Sequence, residues 1–532
     1  MRRFAMAVVL AAAWPVGVGP AQTAPAQGAA PFDPAEWRAM VAQLASDGFE
    51  GRRAGTPGFD RAADWVAARF RAAGLRPGGT DGWFQPVEIV RETLDPAASR
   101  VALVGAAGET VLGIGPDVLL FAREGLPPRI DAPLEFIGYG LHLPAAGHDD
   151  FAGRDLRGKI AVLVRGAPAG LDAKAVAQGY GEALPRKLRE AGAVGAVQIV
   201  LPAPGDDAWP TDPSVRTATF VPGVSEPAPV AIAVNPASAA KLFAGVPGGY
   251  GALTAAAGAG RPLPRIALDR RLRATLATTR DVLRSRNVVG VLPGADATLG
   301  AESVVLSAHL DHLGLGEPGP DGKRPVHRGV MDNASGVASL IQVAQVFAKG
   351  PRPRRTLVFA AVTGEEMGLL GSDAFAARPP EAARRIVANI NMDMFLPLAP
   401  MRRVVVYGAE ESNLGAAARA SATEMGVEML YDPRPEERRL LRSDQYSFIR
   451  RGIPAISAKV EPVAGTPDAE YRRRWDKERY HQPADDLTQP ISLQAASDYN
   501  RWLYGTIRRV ADGTERPAWN PGSRFAGMGA GR

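Results

Sequence analysis

The sequence predicts an α/β fold: a mainly parallel, mixed sheet flanked by helices, with a second, β-rich α/β domain inserted into it. From Ile266 onward, short apolar runs rich in β-branched residues alternate with segments of helical periodicity. Such alternation favours a mainly parallel sheet covered on both faces. Between about Pro127 and Gly260, further strands and helices carry no cluster of histidines and carboxylates at catalytic spacing.

The N-terminal part begins with two predicted helices. Asp33-Pro34 is a typical N-cap and first helical residue. A second helix is predicted over 59–73, with Gly74 as its stop. The Gly- and Pro-rich stretch 44–58 between them predicts a loop, and residues 83–126 predict short strands.

The larger α/β part has six predicted strands and four predicted helices. The strands are 287–291, 304–308, 356–362, 386–392, 404–407 and 454–458; the helices are 334–347, 368–377, 413–425 and 493–510. The predicted organisation of the whole chain is a signal peptide over 1–26, the first part of the larger domain over 27–126, the insertion over 127–264, the rest of the larger domain over 265–515, and a flexible tail over 516–532.

The first residues resemble a targeting segment. Arg2 and Arg3 precede an apolar run from Phe4 to Val18, and small residues follow. This pattern predicts a cleaved signal peptide and an exported, periplasmic or extracellular protein, with an uncleaved anchor as the alternative. No later run is apolar enough to predict a stable membrane span.

Composition excludes several classes of site. The chain has no cysteine, which rules out disulfides, zinc–thiolate sites and cysteine nucleophiles. The net charge of +6 comes from scattered arginines without interleaved aromatic residues, so no nucleic-acid partner is predicted. Short basic clusters such as 472–474 are interpreted as solvated faces.

One segment concentrates potential metal ligands. His309 and Asp311 follow the predicted strand 304–308, and Asp332 precedes a predicted helix. A neutral histidine is a common zinc ligand, and a nearby carboxylate can accept the other ring N–H. The alternative is a structural His–Asp hydrogen bond and a helix N-cap.

Further acidic residues and one histidine fall at other strand ends or in a late loop. Glu365 and Glu366 follow one strand, Asp393 ends another, and His481 follows Tyr480. Adjacent carboxylates are costly unless a positive charge lies between them, although two solvated glutamates at a helix N-terminus are the alternative. Two imidazoles and three carboxylates come from His309, His481, Asp332, Glu366 and Asp393. This composition is typical of hydrolases with two zinc ions about 3.5–4 Å apart.

The ensemble resembles peptidase family M28, a family of zinc metallopeptidases. The resemblance lies in AHLDHLG, GVMDNASGV, TGEEMGLLGS, NINMDM, RSDQYSF and YHQPADD, and extends over about 33–515. The inserted region, through EFIGYG and LRGKIAVLVRG, resembles a protease-associated (PA) domain. One departure is Gln445, where many relatives carry histidine after RSD.

The resemblance implies two Zn²⁺ ions per chain and a role for each residue. His309 and Asp393 would hold one zinc, Glu366 and His481 the other, and Asp332 would bridge them. Glu365 would be the general base and Asp311 a supporting carboxylate. Arg442 of the RSD motif would contact substrate, and Tyr480 would stabilise the oxyanion. His312 and His327 are interpreted as local hydrogen-bonding residues rather than ligands.

The function this implies is an aminopeptidase that acts on peptides or small proteins. A carboxypeptidase or another amidohydrolase on the same scaffold stays open, and so does a non-catalytic binding protein. A carboxypeptidase would need a cluster of cations for the substrate carboxylate, and arginine is too abundant in this sequence to test that idea. Substrate preference and oligomeric state are not predicted.

Overall fold

The computed structural model describes residues 32–120, 127–201, 209, 218–222 and 230–529. The predicted signal peptide, residues 1–26, lies outside the described residues. The described helices are α1 Pro34–Leu44, α2 Pro57–Ala72, α3 Ala173–Gln178, α4 Leu184–Glu190, α5 Gly249–Gly258, α6 Ser335–Lys349, α7 Leu370–Ala377, α8 Leu414–Glu424, α9 Gln445–Ile449, α10 Pro467–Glu478 and α11 Leu493–Asp512. None of the described helices is both long and apolar enough to span a membrane.

The described strands are numbered in chain order. They are β1 Arg76–Pro77, β2 Phe84–Gly105, β3 Gly108–Leu112, β4 Val118–Leu120, β5 Arg129–Phe136, β6 His142–Leu143, β7 His148–Asp149, β8 Ile160–Arg165, β9 Gly195–Val200, β10 Ala218–Pro222, β11 Val230–Val234, β12 Arg270–Leu292, β13 Ser303–His309, β14 Gly314–Leu315, β15 Val326–His327, β16 Thr356–Val362, β17 Ile386–Asn391, β18 Arg403–Tyr407, β19 Glu428–Leu430 and β20 Ala455–Val460.

The fold class is confirmed: the protein is a mixed α/β structure with a mainly parallel sheet. Strands β16, β13, β17 and β20 run parallel to one another. Strand β12 is antiparallel to β16, and β18 is antiparallel to β20 and parallel to β19. We call β12, β16, β13, β17, β20, β18 and β19 the main sheet. Every residue of β13 and β16 is buried, because helices cover both faces.

A second sheet contains β5, β8, β9, β11 and β4. Strands β5, β8, β9 and β11 are parallel, and β4 pairs antiparallel with β11. It is continuous with the main sheet because β5 also pairs with β12. The prediction that residues 127–264 form a PA-like inserted domain, and the other domain boundaries, stay predictions.

Helix starts follow their capping residues. Asp33 accepts a hydrogen bond from the Ala35 N–H at 2.8 Å, as expected for α1. Thr56 caps α2 through the Phe59 N–H, so α2 begins at Pro57, two residues before the predicted start. The same Thr-Pro pattern at Thr466 starts α10, which the prediction did not include.

Three expectations differ from the structure. Residues 84–105 form one 22-residue strand rather than several short ones, because β2 pairs along nearly its whole length with β12. The predicted flexible tail packs against the main sheet as far as described: Phe525 is 2% exposed, and the Trp519 indole N–H donates to the Gly452 carbonyl at 3.0 Å. Arg472, predicted on a solvated face, is buried.

Candidate metal centre

The candidate ligands meet at the carboxyl ends of adjacent parallel strands. His309 is the last residue of β13, Glu365 and Glu366 follow β16, and Asp393 follows β17. In open α/β sheets this edge is where ligands bind. Asp332 and His481 reach the same place from loops. The structure therefore brings all five predicted metal ligands together.

The ligands form two groups that share Asp332. In the first, His309 Nε2 lies 3.2 Å from Asp332 Oδ1 and 3.3 Å from Asp393 Oδ1. In the second, His481 Nε2 lies 3.2 Å from Asp332 Oδ2 and 3.1 Å from Glu366 Oε2. Each oxygen of Asp332 thus faces a different histidine, which is the arrangement a bridging carboxylate requires.

The spacing of these atoms fits zinc. Two ligands of a tetrahedral zinc ion, at bond lengths of about 2.0–2.1 Å, lie about 3.3 Å apart. The observed separations of 3.1 to 3.3 Å match this distance. Four of the five side chains are at least 90% buried, and the His481 side chain is 37% exposed. So many buried carboxylates need positive charge beside them, which zinc would supply.

The electrostatics of both histidines indicate the same need for a cation. Burial lowers the pKa of His481, but hydrogen bonds to Asp332 and Glu366 outweigh burial and raise it to about 10. Burial likewise lowers the pKa of His309, and Glu365, Asp332 and Asp393 raise it well above its ordinary value. The acids therefore favour a positive charge at each imidazole.

Glu365 differs from its neighbour Glu366. Burial raises the pKa of Glu365 well above its ordinary value. Burial also acts to raise the pKa of Glu366, but hydrogen bonds to His312 and His481 help to lower it overall. Glu366 is thus held as a carboxylate against two histidines, while Glu365 lines the open cavity beside the centre.

Asp311 supports the centre differently from the sequence-based expectation. Its main-chain carbonyl, rather than its carboxylate, lies 3.1 Å from His309 Nδ1. Its carboxylate instead accepts hydrogen bonds from the N–H groups of Glu365, at 3.1 Å, and Glu366, at 3.3 Å. The Asp311 carboxylate, two residues after β13, thus reaches the segment that follows β16 and positions the two glutamates.

Arg442 and Tyr480 both line the cavity beside the ligands. The Tyr480 ring stacks on His481 with ring centroids 3.9 Å apart. Burial raises the pKa of the Tyr480 phenol, which keeps it a proton donor. Their roles in substrate binding and oxyanion stabilisation stay predictions.

Three further residues support the site, and of these Asp485 and Arg52 were not identified from sequence. Asp485 accepts the Met331 N–H at 3.0 Å and the Asp332 N–H at 3.1 Å. His312 Nδ1 lies 2.7 Å from Glu366 Oε1, the kind of local hydrogen bond expected for it, although His312, Asp332 and Glu366 are also close enough to hold an ion.

Arg52 is the third of these residues. Its buried guanidinium donates to the carbonyls of Leu310 at 2.9 Å, Leu44 at 2.6 Å, Arg328 at 2.8 Å and Gly329 at 3.0 Å. It thereby ties the N-terminal segment to the loops that carry His309 and Asp332. The Gly-rich sequence around Arg52 has no feature that distinguishes Arg52 from an ordinary loop arginine.

Residues 287–506 match the sequence profile of peptidase family M28. This segment belongs to that family. The M28 segment contains all five candidate ligands and Glu365. Arg52, the second sheet and most of β12 lie outside it.

Curated relatives match shorter stretches. The chain is 38% identical over 95 residues to a "Vacuolar membrane protease" of Candida dubliniensis, covering 18% of this chain and 9% of that protein. It is 44% identical over 66 residues to a "Probable zinc metalloprotease" of Pyrenophora tritici-repentis, covering 12% and 15%. The chain spans between 8 and 15% of the length of these and similar curated relatives.

Solved structures are similar over more of the chain. An aminopeptidase from Aneurinibacillus sp. strain AM-1 is 20% identical with a TM-score of 0.49, covering 92% of this chain and 95% of its own. BSAP, a zinc aminopeptidase from Bacillus subtilis, is 20% identical with a TM-score of 0.43, covering 90% and 94%.

The predicted location is wrong. The N-terminal segment predicted a periplasmic or extracellular protein, whereas matching relatives from three yeasts are named vacuolar membrane proteases. The prediction rested on a short apolar run after two arginines. Such a run indicates targeting, but its hydrophobicity and charge do not specify the compartment.

Proposed function

We propose that this chain is a two-zinc aminopeptidase that removes N-terminal residues from peptides by attack of an activated water. In this proposal His309 and Asp393 hold one zinc, His481 and Glu366 hold the other, and Asp332 bridges them. Glu365 is the general base.

One observation carries the proposal: the two oxygens of Asp332 divide between two His–carboxylate groups at tetrahedral spacing. A structural His–Asp pair would need only one partner on each side. Bound zinc would supply Lewis acidity to the scissile carbonyl and to the attacking water.

The protein residues would move the protons. The Glu365 carboxylate lies at the open side of the centre, and the hydrogen bond from its N–H to Asp311 positions it. It would take a proton from the water and deliver it to the leaving amine. The Tyr480 phenol, held by stacking on His481, would donate to the developing oxyanion.

Acidic groups along the cavity favour a substrate with a free amino group. Glu365, Asp393 and Asp476 all line it, and a substrate ammonium group could pair with one of them. Arg442 lines the same cavity and would contact the substrate.

The test combines zinc content with substrate choice. Wild type and Glu365→Gln are purified, zinc per chain is measured by mass spectrometry, and free-amine and N-acetylated peptides are offered. We expect about two zinc ions in both proteins, cleavage of free-amine peptides only, and a loss of about 10²–10⁴-fold in kcat for Glu365→Gln. Glu366→Gln is the matched comparison, which should lower zinc content as well as rate.

Other outcomes are equally informative. Cleavage of N-acetylated peptides from the carboxyl end would assign a carboxypeptidase to the same centre. A wild-type protein that takes up no zinc and cleaves neither substrate would refute the proposal.

A further inference from the structure

Four arginine or lysine side chains line the cavity beside the metal centre. Arg439 begins the short 3₁₀ helix Arg439–Leu441 that follows β19, Lys459 lies on β20 and Arg472 on α10, and all three line the cavity. We call these three residues the cationic wall. Arg442 adds a fourth positive charge to the lining.

The charges of the wall lie close enough to affect one another. Burial lowers the pKa of Lys459 to about 8; Asp393 acts against this shift, and Arg472 and Arg439 add to it. The phenol of Tyr407 is adjacent to Arg439 and also within the field of Arg472. Three separate elements thus bring their cations to one place.

The wall is short of negative partners. Within the described part of the chain, Lys459 has no hydrogen-bonded or ion-paired partner. Arg472 is 9% exposed, and although its Nε pairs with Asp476 at 3.1 Å, its buried Nη1 has no partner among the described residues. Arg439 pairs through Nε with Glu437 at 2.7 Å. A buried cation without a counter-charge is costly.

Under the proposed function, the carboxylates of the metal centre do not neutralise the positive charge of the cationic wall. Two zinc ions would bring four positive charges against the three ligand carboxylates Asp332, Glu366 and Asp393. With Glu365 ionised, the centre would be neutral without any help from the wall. The positive charge of the wall is then available for a ligand.

We propose that the cationic wall binds a carboxylate of the substrate, so that the enzyme selects acidic substrates. The proposal rests on the proposed function for the position of the scissile bond. The carboxylate could be the side chain of an N-terminal glutamate or aspartate, or the C-terminal carboxylate of a short peptide. Arginine matches a carboxylate with two parallel N–H donors, and the Lys459 ammonium adds a point charge.

Two pairs of substrates separate these sources. Glutamyl and glutaminyl arylamides differ only in the side-chain charge and have no C-terminal carboxylate. Dipeptides with a free amino group and neutral side chains, such as leucylalanine, and their C-terminal amides differ only at the C-terminus. For one of the two pairs we expect wild-type kcat/KM to favour the acid by about tenfold or more, since hydrogen bonds to charged groups are the stronger ones. A preference in the first pair would show that the wall binds the side-chain carboxylate. A preference in the second pair would show that it binds the C-terminal carboxylate.

The variants test whether the wall is responsible. Lys459→Met and Arg472→Met should each lower kcat/KM for the acid about tenfold more than for its neutral partner. Arg473→Met is the matched control, because Arg473 is adjacent on α10 but exposed. It should leave the ratio at the wild-type value, and zinc content reports whether each variant is folded.

Binding of free amino acids separates this inference from the proposed function. If the wall binds the substrate side chain, zinc-loaded wild type should, by calorimetry, bind glutamate about tenfold or more tightly than glutamine, and Lys459→Met should lose that difference. Tight glutamate binding without hydrolysis of any peptide would refute the proposed function and support the wall as a carboxylate site. Equal binding of glutamate and glutamine would exclude the side chain as the source. No preference for the acid in either substrate pair, or a preference that Lys459→Met and Arg472→Met leave unchanged, would overturn the inference.

Discussion

The main sheet and the second sheet have similar architecture and very different polar content. Both contain neighbouring parallel strands with buried apolar side chains. In the second sheet, β5, β8 and β9 run into Ile137-Gly138, Gly166 and Leu201. In the main sheet, the corresponding strand ends carry His309, Glu365 and Asp393.

Buried polar residues show the same contrast. Among the described residues of 93–284, no charged or polar side chain is buried. The M28 segment buries the candidate ligands His309, Asp332 and Asp393 together with Asp311, Asp444 and Asp485. The α/β architecture therefore provides only a place for a site, at the carboxyl ends of the parallel strands. A functional site at that place also needs buried carboxylates and groups that position them.

The largest expected effect comes from the shared ligand. Asp332→Asn replaces one oxygen with an N–H donor that cannot bind zinc, so one of the two groups loses a ligand. We expect lower zinc content and a loss in kcat/KM of about three orders of magnitude, because metal catalysis supplies several kcal/mol. Zinc analysis and peptide hydrolysis measure both effects.

The control for this prediction comes from the second region. Asp149 pairs with His142 Nδ1 at 3.0 Å, on a partly exposed hairpin. Asp149→Asn should leave zinc content and rate unchanged. Full activity and two zinc ions in Asp332→Asn would show that Asp332 is a structural residue.

The second prediction concerns stability. Arg52→Met leaves four carbonyl groups without their donor inside the protein, which should lower the free energy of unfolding by about 3–5 kcal/mol. Arg154→Met is the comparison in the second region, where the Arg154–Glu135 pair at 3.2 Å is partly exposed and should contribute about 1 kcal/mol or less. Urea unfolding compares the two; similar values would show that Arg52 contributes no more than a surface pair.

The metal ligands could be predicted from the sequence, whereas the residues that position them could not. His309, Glu366 and Asp393 could be predicted because each lies at the end of a strand with a strong apolar pattern. Arg52 and Asp485 could not, because most of their partners are main-chain groups far along the chain, and such contacts leave no local pattern. Arg472 was misjudged for a related reason: its neighbours Arg473 and Arg474 are exposed, and only the helical period of α10 separates them.

The third prediction tests one of these positioning residues. Asp485→Asn exchanges an acceptor of a main-chain N–H for an amide N–H, so the loop carrying Asp332 loses part of its support. Zinc affinity should fall about 10–100-fold, as is typical for residues that support metal ligands. Competition with a chelator measures the affinity. The control is Asp486→Asn, because the Asp486 carboxylate accepts a hydrogen bond from Thr488 instead; this variant should keep the wild-type zinc affinity. Equal zinc affinity in the two variants would show that Asp485 does not support zinc binding.

The smallest expected effect is a pH dependence of the preference for acidic substrates that we attribute to the cationic wall. The pKa of Lys459 is lowered to about 8, by burial and by Arg472 and Arg439, against the influence of Asp393 and Asp332. Because a lysine is charged below its pKa, the preference for an acidic substrate should be full near pH 7 and decline as the pH rises through about 8. A substrate carboxylate stays ionised across this range, with an ordinary pKa of about 4.

The measurement is the ratio of kcat/KM for the favoured acid and its neutral partner between pH 6 and pH 10. At pH 9 only about one tenth of the Lys459 side chains would be charged, while Arg439 and Arg472 stay charged. The ratio should therefore fall about two- to fivefold rather than vanish, since two of the three charges persist. In Lys459→Met the ratio should be lower and constant with pH. A wild-type ratio that rises above pH 8, or a decline that persists in Lys459→Met, would assign the pH dependence to another group.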